Sequence, residues 1–463
     1  MNQRSSAPPS SGNVEFQVFR FALDPNNKQR GHLASHAGGA RYAYNLGLEW
    51  LIDSLEKRRA GGSESTPNAS EMHRRWNRWK KIPQNDAMWW STNSKCVYQE
   101  AFRDLEHAFN SFVASRRRKR RGRRLGFPRF KRKARTRDRF RLTGHFEVDR
   151  RSVQLPKLGR IRIHENASRF ASGIEFGRIR ITSATVGREA DRWYVNFRVA
   201  RTTRPSCTPS FGAVGIDMGI NALATLSSGL LVIGPRALKS NLKKLRRVSK
   251  AHGRKCHGSK NRKRTAAQLA RCHSRIAALR RDHLHKLSTY LAKKHGLIVI
   301  EDLSIQAMMS NRRLARSIAD SGWGDLGAML EYKCRWYGSK LIKASRNFPS
   351  TRMCSGCGNV KDALPLSLRQ FTCDHCGLNI DRDHNAAKNL ARWPAVAGRA
   401  PETQNACGED VRPGRSRAGL DEAGTEQPVL ASGSEPIAQA VAFSCGSIGR
   451  GRRTGGYRPS VAV

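Results

Sequence analysis

The chain has 463 residues, with 86 lysines and arginines against 36 aspartates and glutamates, so its formal net charge at pH 7 is +50. Self-repulsion on this scale destabilises a compact protein unless a polyanion neutralises it, which argues against an ordinary soluble metabolic enzyme. The sequence contains no apolar stretch of about 18 residues or more, so we expect no membrane span. The N-terminus shows no secretory pattern. We therefore expect a cytoplasmic protein that binds nucleic acid.

The first 116 residues predict one strand and two helices. Residues 14–23 mix alternation with β-forming residues and predict a strand, which a turn separates from the first helix. Apolar residues with helical spacing predict helices over about 30–58 and 92–116, with a loop at 60–70. The aromatic stripe of the second helix is typical of a packed core, and base stacking is the alternative. We expect the two helices to form a small helical lobe that is inserted after one strand.

A dense block of positive charge occupies residues 116–141, which contain 16 basic residues and one acidic residue. A solvated or disordered face is the ordinary explanation of a charge run, but this block repels itself strongly without counter-anions. Phosphate groups would supply them. Segment 126–130 interrupts the block with aromatic residues that either pack or stack on bases. The residues here that we expect to contact nucleic acid are Arg116, Arg117, Arg118, Lys119, Arg120, Arg121, Arg129 and Lys131.

Residues 145–200 change to the alternating pattern of strands. The predicted strands span 146–148, 158–163, 178–186 and 193–200. The last two form a hairpin around 187–190. With the N-terminal strand they predict a small β-barrel or sandwich. Residues 202–210 have the composition of a linker, and a second domain begins near residue 211.

The second domain opens with short strands and a basic helical pair. The predicted strands span 212–217, 221–226 and 230–233. Residues 239–281 contain 16 lysines and arginines and no acidic residue, and their apolar spacing predicts a helical hairpin with its turn at 252–260. The residues of this hairpin that we expect to contact nucleic acid are Lys243, Lys244, Lys260, Arg262 and Lys263.

Short strands and helices complete the second domain. An apolar strand at 297–300 leads to Glu301. A helix over about 325–339, a strand at 341–344 and a helix over 384–393 follow. Residues 394–463 have a net charge of only +1 and no periodicity, so we expect this tail to be disordered.

Four cysteines form the most specific local motif. Cys354 and Cys357 make one C-x2-C pair, and Cys373 and Cys376 make a second after a gap of 15 residues. This spacing predicts a tetrahedral zinc site with four thiolate ligands and no open coordination position, which is a structural site. A glycine follows each pair, as the tight turn of a metal knuckle requires. A disulfide or redox pair is the alternative.

Three acidic residues stand out in a chain that has few. Asp217 and Glu301 end predicted strands, and Asp383 lies at the start of the last helix. Carboxylates in these places can converge on one point and hold magnesium, which assists phosphodiester cleavage when it binds as a pair of ions. Each has an ordinary alternative: Asp217 as a turn residue, Glu301 as an ion-pair partner and Asp383 as a helix N-cap.

Several segments of the chain closely resemble the TnpB family, the insertion-sequence-encoded proteins related to type V CRISPR effector nucleases. The matching segments are VGIDMGI (214–220), GLIVIEDL (296–303), CSGCG (354–358), FTCDHCG (371–377) and DRDHNAAKNL (381–390). GFPRFK (126–131), ALDPNNKQ (22–29) and residues 257–288 are also similar. The resemblance covers about residues 14–393.

The resemblance implies a multidomain α+β and α/β protein. It implies a β-barrel wedge domain (14–30 and 125–204) that carries a helical recognition lobe (31–124). A RuvC-type nuclease domain of ribonuclease-H-like fold (205–352 and 378–395) then carries a zinc ribbon (353–377). Residues 1–13 and 396–463 are expected to be disordered.

The resemblance also implies a function. By this resemblance the protein would be a transposon-encoded RNA-guided DNA endonuclease, and Asp217, Glu301 and Asp383 would be its catalytic magnesium ligands. Asp381 competes for the third role. The implied partners are a guide RNA from the transposon end and double-stranded target DNA, and the implied metals are magnesium and one structural zinc ion. No membrane or protein partner is implied.

Four alternatives remain open. The chain could be a transposase that acts by strand transfer, or a catalytically silent RNA-guided regulator, although such a regulator is expected to lack one carboxylate. A structural RNA-binding protein with a zinc ribbon would leave the acidic trio unexplained. A CRISPR-associated nuclease would have the same chemistry.

Overall fold

The computed structural model describes residues 14–82, 88–120, 122–133, 135–202, 211–365, 367–397 and 440–441. The chain divides into two compact units: residues 1–204 with 255–274, and residues 205–254 with 275–463. Both units contain helices and sheets, so the chain is a mixed α/β protein. In the described residues no helix combines the length and hydropathy needed to cross a membrane.

The first unit joins a β-sheet to a helical lobe. Its elements are β1 (Val14–Asp24), α1 (Asn27–Arg59), α2 (Ala69–Trp79), α3 (Lys95–Arg116), β2 (Arg139–Leu142), β3 (Glu147–Val148), β4 (Ser152–Leu155), β5 (Gly159–Ile163), α4 (Ser168–Glu175), β6 (Ile179–Glu189) and β7 (Arg192–Thr202). The sheet has the order β2-β6-β7-β1-β5-β4-β3, and every pair is antiparallel. β1 pairs with β7 over most of its length and with β5 at its end. The predicted hairpin is present, with β6 and β7 joined at Ala190 and Asp191.

The helical lobe has its own core, which confirms the packing interpretation of the aromatic stripe. Tyr98, Phe102 and Leu105 of α3 are buried with residues of α1 and α2. At Gly47 of α1 an added Cβ would lie 2.9 Å from the ring of Phe102, so the two helices approach closely there.

The sequence prediction missed α2 and placed a loop at 60–70. That loop ends at Asn68, whose side chain accepts the backbone N–H of Glu71 at 2.9 Å and caps α2. α2 escaped prediction because it is strongly basic and buries little beyond Met72 and Trp76.

The second unit is built on a six-stranded sheet. Its elements are β8 (Phe211–Asp217), β9 (Ala224–Leu226), β10 (Leu231–Val232), α5 (Ala237–Gly253), α6 (Lys260–Lys294), β11 (His295–Glu301), α7 (Ile305–Met309), α8 (Ala315–Ser321), α9 (Trp323–Tyr337), β12 (Lys340–Ala344), β13 (Gln370–Thr372), β14 (Asn379–Asp381), α10 (Arg382–Ala397) and β15 (Ala440–Val441). The sheet order is β12-β11-β8-β9-β10-β15. β12, β11 and β8 are parallel, and β9 is antiparallel to β8 and β10. The first fifteen residues of α6 belong to the first unit.

Most of the segments predicted to lack structure fall outside the described residues. This holds for 1–13, 203–210, 398–439 and 442–463. Within the predicted tail, Ala440–Val441 pairs in parallel with β10. That short strand corrects the prediction for those two residues, and α10, which continues to Ala397, corrects it for residues 394–397.

The two faces of the second sheet pack against different helices. Val214, Ile216, Ile298 and Ile300 belong to the core that includes α6 and α9. On the other face, Gly215 of β8 lies so close to α10 that an added Cβ would sit 2.0 Å from the carbonyl oxygen of Ala387. Val299 of β11 belongs to the cluster on this face that contains Leu390 of α10. Because side chains alternate along a strand, Asp217 and Glu301, two positions beyond Gly215 and Val299, share the α10 face.

Candidate active site and cysteine module

Asp217 and Glu301 occupy adjacent positions at the carboxyl ends of parallel strands. Ile216 of β8 is in register with Ile300 of β11, so the next residue on each strand is one of the two acids. Neighbouring strands are about 4.8 Å apart. Both side chains belong to the face that packs on α10, so the fold brings the first two predicted carboxylates together.

Asp383, in the first turn of α10, lies near the strand end that carries Asp217. Its Oδ2 atom would lie 4.0 Å from a Cβ added at Gly219, in the loop that follows Asp217. Asp381 is engaged differently, because its Oδ1 atom accepts the backbone N–H groups of Asp383 and His384, each at 3.0 Å. Asp381 therefore caps the helix, whereas the Asp383 carboxylate lies beside the loop that follows Asp217.

The carboxylates act on one another electrostatically. Asp217 is only 8% exposed. Burial, followed by the charges of Glu301 and Asp383, raises the pKa of Asp217 from 3.8 to about 8, although Arg382 opposes the shift. Arg382 also lies 3.5 Å from Asp383 Oδ1, and Arg369 lies 4.0 Å from Oδ2. The cluster thus resists full ionisation unless a cation neutralises its charge.

The donor set of this cluster suits magnesium, a hard cation that prefers carboxylate oxygens. The three acids are nevertheless more widely spaced than a closed cage. In the part of the chain that the structure describes, the cysteines are the group whose candidate ligand atoms all lie within 4.8 Å of one another. An open arrangement leaves room for water and for substrate phosphate, which magnesium sites usually retain.

The four cysteines converge as the spacing predicts. Sγ of Cys354 is 3.6 Å from Sγ of Cys376, and Sγ of Cys357 is 3.6 Å from Sγ of Cys373. A tetrahedron with zinc–sulfur bonds of about 2.3 Å has edges of about 3.8 Å, so the quartet matches a metal site. All four are free thiols, and the separations far exceed the disulfide bond length of about 2.0 Å.

The two knuckles have equivalent backbone hydrogen bonds. Gly358 N–H donates to the carbonyl oxygen of Cys354, and Gly377 N–H donates to that of Cys373, each at 3.0 Å. Both glycines have positive φ, of 83° and 69°, a conformation that favours glycine. The glycine after each cysteine pair is therefore required by the turn, as the sequence predicted.

Sequence reasoning missed two asparagines of α10 that hold the loop before Cys354. Asn385 and Asn389 are spaced by four residues and lie on one helix face, and both are buried. Each donates from Nδ2 to the carbonyl oxygen of Met353 at 2.6 Å. The available signal was a polar pair at helical spacing among the apolar residues Ala386, Ala387 and Leu390.

The predicted nucleic-acid contacts are mostly exposed. The exposed residues are Arg116, Arg117, Arg118, Lys119, Arg120, Arg129, Lys243, Lys244, Lys260 and Lys263, and Arg262 is half-buried. Arg121 lies outside the described residues. Lys131 is also half-buried, with Nζ 3.5 Å from the centre of the Tyr44 ring, and burial lowers its pKa to about 8.

The two phenylalanines that interrupt the first basic block differ in burial. Phe127 packs edge-on against Phe112 and Phe109, with ring centres 5.4 and 6.1 Å apart. Phe130 is 51% exposed. The segment is also fixed to α1, because the side chain of Asn45 exchanges hydrogen bonds with the backbone N–H and carbonyl oxygen of Lys131. Phe127 is therefore a packing residue.

Fold and site together define a class: mixed α/β proteins with acidic residues at adjacent strand ends and a four-cysteine metal module. Family models match three segments of the chain. Residues 196–312 match the IS605 OrfB model, described as "Probable transposase", and residues 323–390 match the "Cas12f1-like, TNB domain". Residues 17–60, which form β1 and α1, match a model described as "Helix-turn-helix domain".

Whole-length relatives identify the family. A Streptomyces pristinaespiralis protein named "Putative RNA-guided DNA endonuclease" is 35% identical over 87% of this chain and 94% of its own length. An Escherichia coli K12 protein named "Putative RNA-guided DNA endonuclease InsQ" is 30% identical over 86% and 96%. One chain of a solved Cas12f1–sgRNA–target DNA complex matches with a TM-score of 0.46 and 12% identity, over 82% of this chain and 99% of that chain. The protein belongs to the TnpB family.

Proposed function

We propose that this protein is an RNA-guided DNA endonuclease that hydrolyses phosphodiester bonds of target DNA. The observation that carries the proposal is the carboxylate cluster of Asp217, Glu301 and Asp383 at the carboxyl edge of the second sheet. The relatives that match along almost their whole length have names that describe this activity. The presence of all three acids argues against a catalytically silent regulator.

The carboxylate cluster would hold magnesium, which supplies charge neutralisation at the phosphate and activation of the attacking water. Asp217 is buried beside two other acids, so its side chain is held in a position where ionisation is costly without a cation. Arg382 and Arg369 border the Asp383 carboxylate and would attract the DNA backbone towards the cluster. The chain's own residues thus provide the metal ligands and a local positive field.

The two units would correspond to the domains of an RNA-guided nuclease. The parallel strands β12, β11 and β8, the antiparallel strands β9 and β10 and the packed helix α10 are consistent with a RuvC-type domain. The cysteine module would bind one structural zinc ion. The seven-stranded sheet of the first unit would be the wedge domain, and α1 to α3 would be the recognition lobe.

The exposed basic residues would hold guide RNA and the RNA–DNA heteroduplex through phosphate contacts. These contacts position nucleic acid without reading its sequence. Base pairing with the guide, together with a short flanking motif in the DNA, would then define the target. We place this activity in the prokaryotic cytoplasm.

The test is to purify the protein with RNA transcribed from its own locus, sequence that RNA and assay cleavage. The substrates are a DNA library that carries the guide-matched target beside randomised flanks and a second library without the match. Cleavage confined to the matched library, with one flanking motif enriched, supports the proposal. Guided binding without cleavage would indicate a regulator, and strand-transfer products would indicate a transposase.

A further inference from the structure

The Glu301 carboxylate is held by a side chain that belongs to neither strand. Ser350 Oγ donates a hydrogen bond to Glu301 Oε1 at 2.5 Å. Hydrogen bonds from a hydroxyl group to an ionised carboxylate have this short length and are stronger than neutral ones. Ser350 is only 3% exposed, so water competes little for the hydroxyl group. The contact therefore fixes one oxygen of Glu301 and the rotation of its carboxylate.

Ser350 is in turn fixed by α10. The Nδ2 group of Asn389 donates to the carbonyl oxygen of Ser350 at 2.8 Å and to that of Met353 at 2.6 Å. Within the turn, the N–H of Ser350 donates to the carbonyl oxygen of Phe348 at 2.8 Å. Asn389 is itself buried. These bonds hold the backbone of Ser350 in place beside Glu301.

The same network continues to the cysteine module. Asn385, one helical turn before Asn389, donates to the carbonyl oxygen of Met353 and accepts the N–H of Ser355 at 2.8 Å. Met353 and Ser355 flank Cys354. Arg392 of α10 also donates to the carbonyl oxygen of Ser355. Hydrogen bonds thus run from Glu301 through Ser350 and α10 to the two residues that flank Cys354, the first cysteine of the quartet.

We infer that Ser350 is a positioning residue for Glu301, and that α10 and the cysteine module set its position. The inference rests on the proposed function, because it takes Glu301 as a ligand of the catalytic cation. Groups that orient a metal ligand typically contribute about 10–100-fold to metal affinity or activity. The cysteine module would therefore support the active-site carboxylate in addition to its own segment.

The test measures binding of manganese(II), as a spectroscopic probe for the catalytic cation, by electron paramagnetic resonance. It uses the full chain with guide RNA and target DNA. Ser350→Ala should weaken manganese binding by about 10–100-fold and raise by a similar factor the metal concentration that gives half-maximal cleavage. Ser350→Thr, which keeps the hydroxyl group, should restore both. The zinc content should equal that of the wild type in every variant.

Ser345→Ala is the matched control, since Ser345 lies in the same loop but is exposed, and its hydroxyl oxygen accepts the N–H of Asn347 at 3.4 Å. It should behave as the wild type. Asn389→Ala should weaken manganese binding in the same direction as Ser350→Ala while zinc is retained. Ser350→Cys has a side chain of similar shape with only a weak hydrogen-bond donor, so it should also weaken manganese binding. It replaces Ser350→Ala in the comparison if the Ser350→Ala protein does not fold.

Wild-type manganese affinity in a folded Ser350→Ala or Ser350→Cys protein would overturn the inference, provided that the wild type cleaves. Loss of zinc and of folding together in both variants would also overturn it, because Ser350 would then be purely structural. A wild-type complex that neither binds manganese nor cleaves guided DNA would contradict the proposed function and this inference with it.

Discussion

Asp381 and Asp383 lie two residues apart but face different partners: Asp381 Oδ1 accepts the backbone N–H of Asp383 at 3.0 Å, whereas the Asp383 carboxylate acts on Asp217. The resemblance favoured Asp383 as the third metal ligand and left Asp381 as its competitor. Because Asp381 serves as the N-cap of α10, the geometry favours Asp383 as the third metal ligand.

Asp383→Asn should reduce guided cleavage to background, because it removes a negative charge from the proposed metal site. Asp381→Asn should retain most of the activity, since asparagine is as good an N-cap as aspartate. Initial rates of guided cleavage at saturating magnesium check the pair. The reverse pattern, with Asp381→Asn inactive and Asp383→Asn active, would transfer the catalytic role to Asp381.

The raised pKa of Asp217 predicts a pH-dependent stability in the absence of divalent cations. The folded protein binds this proton more tightly than the unfolded chain does, because the pKa rises from 3.8 to about 8 on folding. The free energy of unfolding should therefore fall as the pH rises through that window, by at most about 1.4 kcal/mol per pH unit.

Asp217→Asn keeps the shape of the side chain and cannot ionise. Its stability advantage over the wild type should be smallest near the unfolded pKa of 3.8 and largest above the folded pKa of about 8. Thermal unfolding of both proteins in chelator across this range provides the measurement. An advantage that does not change with pH would show that Asp217 is not a strained buried acid, and added magnesium should shrink the difference.

The cysteine quartet predicts about one zinc ion per chain, and Cys354→Ser should lose that zinc together with folding or solubility. Structural zinc in small modules contributes about 10–16 kcal/mol of binding free energy, which the segment needs in place of a large core. Elemental analysis and thermal unfolding report the two effects. Cys256→Ser, at an exposed cysteine, is the control and should match the wild type. A well-folded wild-type protein without zinc would refute the assignment.

The sequence predicted the parts of the fold that depend on local pattern. β1, α1, α3 and β11 have clear periodicity, and the metal knuckles have fixed spacing and glycines. The strand-end positions of Asp217 and Glu301 followed from the apolar runs before them. Their side-by-side placement depends on the parallel pairing of β8 with β11, which no local pattern encodes.

The remaining parts depend on tertiary contacts. Ser350 has no distinctive sequence context, and its importance appears only when the turn after β12 lies beside Glu301. Lys131 looked like one more basic residue of a charge block, but its side chain packs on Tyr44. The helices α2 and α4 and the strands β2 and β4 are short or polar, and packing against longer elements stabilises them.

Truncation after residue 400 should leave guided cleavage intact, because the proposed catalytic and metal-binding residues all precede it. The truncation removes β15, which contributes two residues to the edge of the second sheet. Truncation after residue 441 keeps that strand and serves as the control. A protein that is inactive when cut at 400 but active when cut at 441 would show that the edge strand is required.

We propose that Asp217, Glu301 and Asp383 form the site at which DNA selected by a guide RNA is cut. The most direct measurement compares wild type with Asp217→Ala, each purified with the guide RNA, for magnesium-dependent cleavage of a matched target and for retained guide RNA. We expect equal RNA retention and no cleavage by the variant. Full cleavage by Asp217→Ala would contradict the assignment of the active site.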